Sequence, residues 1–570
     1  MKGVSVAAIV AALAGVAAAL AGGSASAAPA AIRPNVVVIM SDDQTVQETR
    51  FQRHVLADIG DRGATFNSSF VNFPLCCPSR TTFLTGLYAT NHHVEDNAPP
   101  GGGVDRFERL DSSNTLPVWL QSSGYYTAEI GKFLNQYGFS HPTLVPPGWD
   151  EWAAISGPVG YYDYRLNVDG SLVSYGDSAA DYVDDVITSR ADDLIRSVGP
   201  GADPFFLYVA YKAPHEGGPH PTGPRCSGGP PEPPRRHFGE FSDAPLPRPP
   251  SFNEADVSDK PSFVQRLPLL TPEQVEEERT LYQCELESLQ GIDDGVHSIV
   301  RSLKSIGELN DTLVVYTSDN GFLHGEHRIY TGKTRVYEPS IRVPLLMRGP
   351  GIPQGVKVRD LVTNADLAPT IVSATGARAD RVMNGRPILS DARHPGRELG
   401  RELLLQGNNY FAIRTARYKY VAYRNGEREL YDLQSDPDEL QNVVTDPAYA
   451  PVAELLSGEL STLRNCRRGN CHRLPKLEPK LHYSRAEPPS GGPCTRGPVR
   501  AAFRRSDKGL VVEADFRLSG NSTQVTTAPY QLVIARSELP SASHPRLHMT
   551  VDLLDGREVT LSAKLPSRCH

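Results

Sequence analysis

Two apolar runs, far apart in the chain, end in the same way. Asn35-Val36-Val37-Val38-Ile39-Met40 leads into Ser41-Asp42-Asp43, and Leu313-Val314-Val315-Tyr316-Thr317 leads into Ser318-Asp319-Asn320-Gly321. A continuous β-branched run without polar alternation suits a strand buried on both faces, the kind found in parallel sheets. Phe205 to Ala210 is a third such run, ending at Ala213-Pro214-His215, and Val343 to Met347 is a fourth. Between them, Pro272 to Leu303 carries apolar residues at helical spacing: Leu281, Cys284, Leu286, Leu289, Ile292, Val296, Ile299 and Val300. Strands alternating with helices predict an α/β fold, a large mostly parallel sheet sandwiched by helices. In such sheets ligands sit beyond the carboxyl ends of the strands. Asp42, Asp43, His215, Asp319 and Asn320 all lie at such ends, so one site can collect them.

The chain of 570 residues is too long for one core. Residues 1–27 read as a signal peptide: Lys2, an Ala/Val/Leu run from Val4 to Ala21, then Ala25-Ser26-Ala27 before cleavage. No other segment approaches a membrane span, so the mature protein is expected to be secreted, extracellular and without a stable membrane anchor. Residues 28–400 are expected to form the main α/β domain. Residues 401–465 are expected to form a smaller antiparallel β subdomain, with alternation over Phe411 to Tyr423 and a closing helix over Val452 to Leu463. Residues 466–570 read as a linker and a small β-rich appendage. The Pro-rich stretch from about 219 to 260 reads as a long loop. A net charge of −8 and the lack of a long basic run argue against a nucleic-acid partner. The eight cysteines of an exported chain make disulfides plausible. Cys466 with Cys471, Cys494 with Cys569 and Cys226 with Cys284 are pairings the spacing allows but does not fix.

Asp42, Asp43, Asp319 and Asn320 are hard oxygen donors, which favours Ca2+, or Mg2+, over soft-metal chemistry. Each pair taken alone also fits a turn or a helix cap. The chemistry is sharpened by Cys76-Cys77-Pro78-Ser79-Arg80, followed by Leu84-Thr85-Gly86. This is the motif at which sulfatases convert the first cysteine to formylglycine. Over about residues 33–445 the chain resembles the type I sulfatases of the alkaline-phosphatase superfamily. It looks most similar to N-acetylglucosamine-6-sulfatases and glycosaminoglycan 6-O-endosulfatases. Asn91-His92-His93-Val94, Gly131-Lys132-Phe133-Leu134-Asn135, Ser318-Asp319-Asn320-Gly321, and Tyr337 to Gly351 carry that resemblance.

The resemblance implies an alkaline-phosphatase-like fold and hydrolysis of sulfate esters, with formylglycine at position 76 made by a formylglycine-generating enzyme. It implies that Asp42, Asp43, Asp319 and Asn320 bind the metal together with an oxygen of modified Cys76. Arg80 would hold the formylglycine diol, Lys132 and Lys333 would contact sulfate, and His215 would protonate the leaving group. One diol hydroxyl would attack sulfur and the other would then expel sulfate. With Cys76 modified, Cys77 is the candidate for an unpaired thiol. The chain departs from many arylsulfatases in carrying Leu134 where they have a histidine. His92, His93 and His324 are possible substitutes, each with a plainer structural reading, and His324 and His327 also read as loop residues near the site mouth. The substrate expected is a sulfated small molecule or glycan. Aryl sulfates, phosphonate or phosphate esters, and a binding role with unconverted cysteine are the alternatives.

Overall fold

The computed structural model describes residues 33–569, apart from 111, 200, 202, 218–224, 227–228, 396–398 and short stretches between 468 and 555. The expected signal peptide lies outside the described residues. Ten strands build the central sheet: β1 Asn35–Asp42, β2 Ala64–Phe66, β3 Tyr126–Gly131, β4 Glu151–Ile155, β5 Arg165–Val168, β6 Ser171–Ser174, β7 Phe205–Pro214, β8 Thr312–Ser318, β9 Leu345–Arg348 and β10 Val356–Val358. Their order is β10-β2-β9-β8-β1-β7-β3-β4-β5-β6. β1 lies between β7 and β8 and is parallel to both. β3 runs parallel to β7, and β4 to β3. The fourth apolar run of the sequence becomes β9, which is antiparallel to β8 and β2. The sheet is thus parallel through its centre and mixed toward its margins.

The unbroken apolar runs have a direct explanation in the core. Val36, Val38 and Met40 of β1 point into one layer with Phe206, Tyr208, Val315, Phe83 and Trp119. Val37 and Ile39 point into the other with Leu207, Val209, Val314 and Tyr316. That second layer is roofed by two helices, α2 Val183–Val198 and α3 Pro272–Ser305, through Val183 and Ile187 on one and Leu289, Ile292 and Val296 on the other. Each fully buried Val or Ile contributes about 1.5–3 kcal/mol, so a polar residue in β1 would remove a large share of the net stability. A capping box starts α3: Gln274 N donates to Thr271 Oγ1 at 3.3 Å and Thr271 N donates to Gln274 Oε1 at 3.0 Å.

Four strands form an antiparallel meander: β11 Leu403–Gln406, β12 Tyr410–Arg414, β13 Tyr418–Tyr423 and β14 Arg428–Asp432. The helix α4, Ala450–Arg464, lays Val452, Leu456, Leu460 and Leu463 against Leu404, Ile413, Tyr420 and Leu430. Further strands follow, including a four-stranded antiparallel sheet over β15 Val511–Leu518, β16 Asn521–Val525, β17 Arg546–Leu553 and β18 Glu558–Lys564. The disulfides are Cys226–Cys284, Cys466–Cys471 and Cys494–Cys569. The first ties the Pro-rich stretch to α3, and its described residues form turns without a regular element.

Candidate active site

Six segments deliver the site: the ends of β1, β3, β7 and β8, the start of the helix at Cys76, and the loop that carries Lys333. β1 ends in Asp42 and Asp43, adjacent residues that a straight strand would send to opposite faces. Asp43 instead takes a left-handed conformation, φ 75°. This turns the chain so that both carboxyls reach Cys76, with Asp42 Oδ1 3.5 Å and Asp43 Oδ1 3.9 Å from Sγ. β8 ends beside β1 and presents Asp319 and Asn320. Cys76 is the first residue of the helix α1, Cys76–Thr85 in this fold, and sits at the positive end of its dipole. Arg80, four residues on, lies on the same face of that helix. β3 ends at Gly131, φ 124°, where a Cβ would fall 1.9 Å from the Ala210 carbonyl oxygen of β7. Only glycine lets the chain pass there and swing Lys132 inward.

The cluster is buried and closely paired. Cys76, Asp42 and Asn320 are fully buried, and Arg80, Asp319, Asp43 and Lys132 nearly so. Arg80 Nε donates to Asp319 Oδ2 at 2.7 Å, and an Arg80 terminal nitrogen donates to the Lys132 carbonyl. Lys132 Nζ donates to Asp42. Lys333 Nζ lies 2.7 Å from Asp43 Oδ2 and 3.1 Å from Cys76 Sγ. Asn320 Nδ2 donates to Asp43 Oδ1 at 2.6 Å. His215 stands at the rim, its side chain 29% exposed and Nε2 3.8 Å from Asp43 Oδ2.

Burial and charge pull these groups in opposite directions. Burial alone would raise Asp42, but Lys132, Arg80 and Lys333 outweigh it and hold the carboxyl well below its usual range. Asp319 is pushed up to about 6, by burial and then by Asp42, with Arg80 only partly offsetting. Burial pushes the Cys76 thiol up to about 12 despite Lys132 and Lys333, so as a cysteine it is a poor nucleophile at neutral pH. Burial, then Lys132, lowers His215 to about 3, leaving a neutral ring.

A hard divalent ion fits the donors. Ligand atoms of Asp42, Asp43, Cys76 and Asp319 lie within 4.8 Å of one another. Asn320 Oδ1 is buried with no hydrogen-bond partner. An orphaned amide oxygen among three carboxylates is a cation site in waiting. The thiol is the one soft atom, and its replacement by oxygen would make the set uniformly hard.

The substitutes considered for the missing histidine stand elsewhere. His92 Nε2 lies 3.0 Å from Thr82 Oγ1 and its Nδ1 accepts from Val94 N, a structural role. His93 is exposed at the end of a short helix. His324 lies between Glu278 and Glu285, and His327 pairs with Glu254 and packs on Tyr337. Leu134 is buried in the core. Lys212 was missed from sequence. It is buried, lowered to about 8 by burial and then by Lys132, and donates to the Glu216 carbonyl at 2.6 Å, shaping the turn that carries His215. Asp184 holds that turn from α2, accepting from the amides of Lys212 and Ala213. A lysine closing an otherwise apolar run was the available signal.

The Sulfatase family profile matches residues 34–377. The chain belongs to the sulfatase family. These are sulfuric ester hydrolases, and a second profile, N-sulphoglucosamine sulphohydrolase C-terminal, matches residues 325–466 of this sulfatase. It is 30% identical to the human N-acetylglucosamine-6-sulfatase over 84% of this chain and 92% of that protein. It is 32% identical to the Volvox carteri arylsulfatase, covering 78% and 77% of the two chains. A Caenorhabditis elegans putative extracellular sulfatase is 36% identical over 62% of this chain, but the sulfatase spans only 48% of that protein. Among solved structures, an enzyme in complex with its substrate D-glucosamine-2-N,6-O-disulfate superposes with a TM-score of 0.62 at 23% identity, covering 75% of this chain and 97% of that one. An Agrobacterium radiobacter phosphonate monoester hydrolase shares the fold too, with a TM-score of 0.57 at 23% identity over 76% and 95% of the chains.

Proposed function

We propose that this sulfatase is exported and hydrolyses sulfate esters of sugars, with an N-acetylglucosamine-6-sulfate-like unit as substrate and residue 76 acting as formylglycine. The observation that carries the reading is the meeting of Cys76 with three carboxylates, Asn320, Arg80 and two lysines at the carboxyl ends of β1, β3 and β8. Support for the substrate is the extended similarity to N-acetylglucosamine-6-sulfatase; support for export is the signal-like N-terminus and a relative named as extracellular.

Asp42, Asp43, Asp319 and Asn320 would hold calcium or magnesium with an oxygen of residue 76. When bound, the ion neutralises sulfuryl charge and favours an ionised nucleophile. Arg80, fixed by Asp319, would orient the nucleophilic oxygen at the helix start. The three carboxylates balance Arg80, Lys132 and Lys333 in charge, so an added divalent ion leaves an excess suited to an anionic substrate. Lys132 and Lys333 could then turn from Asp42 and Asp43 to the sulfuryl oxygens. His215, at the rim, would hold the proton for the departing alkoxide once the anionic ester is beside it.

The test is the mass of the Cys76 peptide from protein made in its native host, with turnover measured on a panel. A loss of about 18 Da, thiol to aldehyde, together with turnover of glucosamine 6-sulfates is expected. An unmodified thiol in active protein overturns the mechanism. A preference for aryl sulfates or phosphonate esters overturns the substrate.

A further inference from the structure

A second group of ligand-type side chains lies outside the site just described. Glu48 comes from the turn after β1, Glu278 and Glu285 from one stretch of α3, and His324 from the loop after Asn320. All four are buried, with exposures of 1%, 1%, 3% and 7%. A ligand atom from each of Glu48, Glu285 and His324 lies within 4.8 Å of the other two. The outer atoms are engaged. Glu48 Oε2 accepts from Thr45 N at 2.7 Å and Thr45 Oγ1 at 3.0 Å, and His324 Nδ1 lies 3.2 Å from Glu278 Oε2. The inner atoms are not: Glu48 Oε1, Glu285 Oε2 and His324 Nε2 are buried without a hydrogen-bond partner. Nε2 and Glu285 Oε2 stand 3.2 Å apart in poor alignment.

Leaving one such buried atom bare is destabilising, and here three face one another. A divalent cation would satisfy all three atoms together. The remaining contact has the form of a metal centre's outer shell, a carboxylate fixing one ring nitrogen so that the other can ligate.

We propose that Glu48, Glu285 and His324 bind a second divalent cation of the zinc class, with Glu278 orienting the His324 ring. One imidazole with two carboxylates suits zinc better than calcium, which prefers six to eight oxygens. His324 also lines a cavity of ≈ 320 Å3, with Tyr282, Phe322 and Glu326, through which an ion can enter. The bound ion would staple α3 to the loops that continue from β1 and β8, those bearing Asp42, Asp43, Asp319 and Asn320. This inference does not rest on the proposed substrate.

The test is metal analysis of the full chain with Cys76→Ala, which keeps zinc off the primary thiol, dialysed against zinc in calcium-containing buffer. About one tightly held zinc per chain is expected, with a raised Tm. It should fall to near zero in Glu285→Gln and His324→Ala. It should persist in His297→Ala, which breaks the part-exposed His54, Asp58 and His297 group. Zinc that follows His297, zinc indifferent to Glu285 and His324, or no retained zinc overturns the proposal and leaves a hydrogen-bonded, metal-free cluster. Should His324→Ala fail to fold, Glu48→Gln and Glu285→Gln decide; should those fail too, a parent Tm unmoved by zinc overturns it.

Discussion

At the level of single residues, the site works by holding opposite charges in a space water barely enters. Asp42 stays ionised because the cations Lys132, Arg80 and Lys333 outweigh its burial, so removing a cation changes more than one contact. Lys333→Ala is expected to lower kcat by about 10²–10³-fold, as loss of one preorganised donor to developing charge does. Steady-state kinetics on a sugar sulfate would check this, and an unchanged kcat would assign Lys333 to substrate binding alone. His215 makes a different prediction, because a proton donor matters most when the leaving oxygen is basic. His215→Asn should slow alkyl sulfate hydrolysis by about 10²–10⁴-fold and slow an activated aryl sulfate far less. Equal losses on both would remove it from the acid role.

At the level of elements, α1 shows why its motif runs on to glycine. The helix begins at Cys76 and ends at Gly86, whose φ of 66° is left-handed. There its N–H caps the Thr82 carbonyl at 2.9 Å. A Cβ at Gly86 would also meet Met383 at 2.7 Å. Gly86→Ala should cost about 1–2 kcal/mol, read from the urea midpoint, and should loosen the helix that carries Cys76 and Arg80. A midpoint like that of the parent protein would mean the C-terminus of α1 re-forms around alanine.

At the level of the whole molecule, stability depends on charges that join distant segments. Asp366 is buried, accepts from the amides of Thr363 and Arg386, and pairs with Arg401 just before β11. Burial would raise it, but Arg401 and Arg386 hold it below its usual 3.8. A carboxyl depressed on folding adds stability above its unfolded pKa and loses it as pH falls through the folded value. Asp366→Asn should therefore lower Tm at neutral pH and flatten its decline below about pH 4, where the parent loses this term anyway. A parallel decline in both proteins would mean Asp366 carries no charge-linked stability. The C-terminal strands are tied in by Arg557, between β17 and β18, which reaches Glu402 at 3.4 Å and Glu459 of α4 at 2.9 Å. Arg557→Ala should cost about 3 kcal/mol by removing a buried cation from its carboxylates. An unchanged melting curve would show residues 511–564 to be energetically separate from the meander.

The sequence by itself determined four strands of the central sheet, the long helix and the identity of the polar residues that end three of those strands. Those rest on local chemistry: an unbroken apolar run needs two buried faces, and apolar residues at helical spacing need one. The cysteine pairs were legible only as possibilities, and folding selected all three. Only the tertiary structure decided that β9 runs antiparallel, since pairing direction is set by partners and not by composition. It also decided that Asp43 turns left-handed to join Asp42 at one site, and that Lys212 and Asp184 shape the turn bearing His215. His92, His93 and His324 look alike in sequence, yet folding buries one against Thr82, leaves one at the surface, and sets the third among carboxylates. What a histidine does depends on which groups fold around it, and distance in space is not written in the order of the chain.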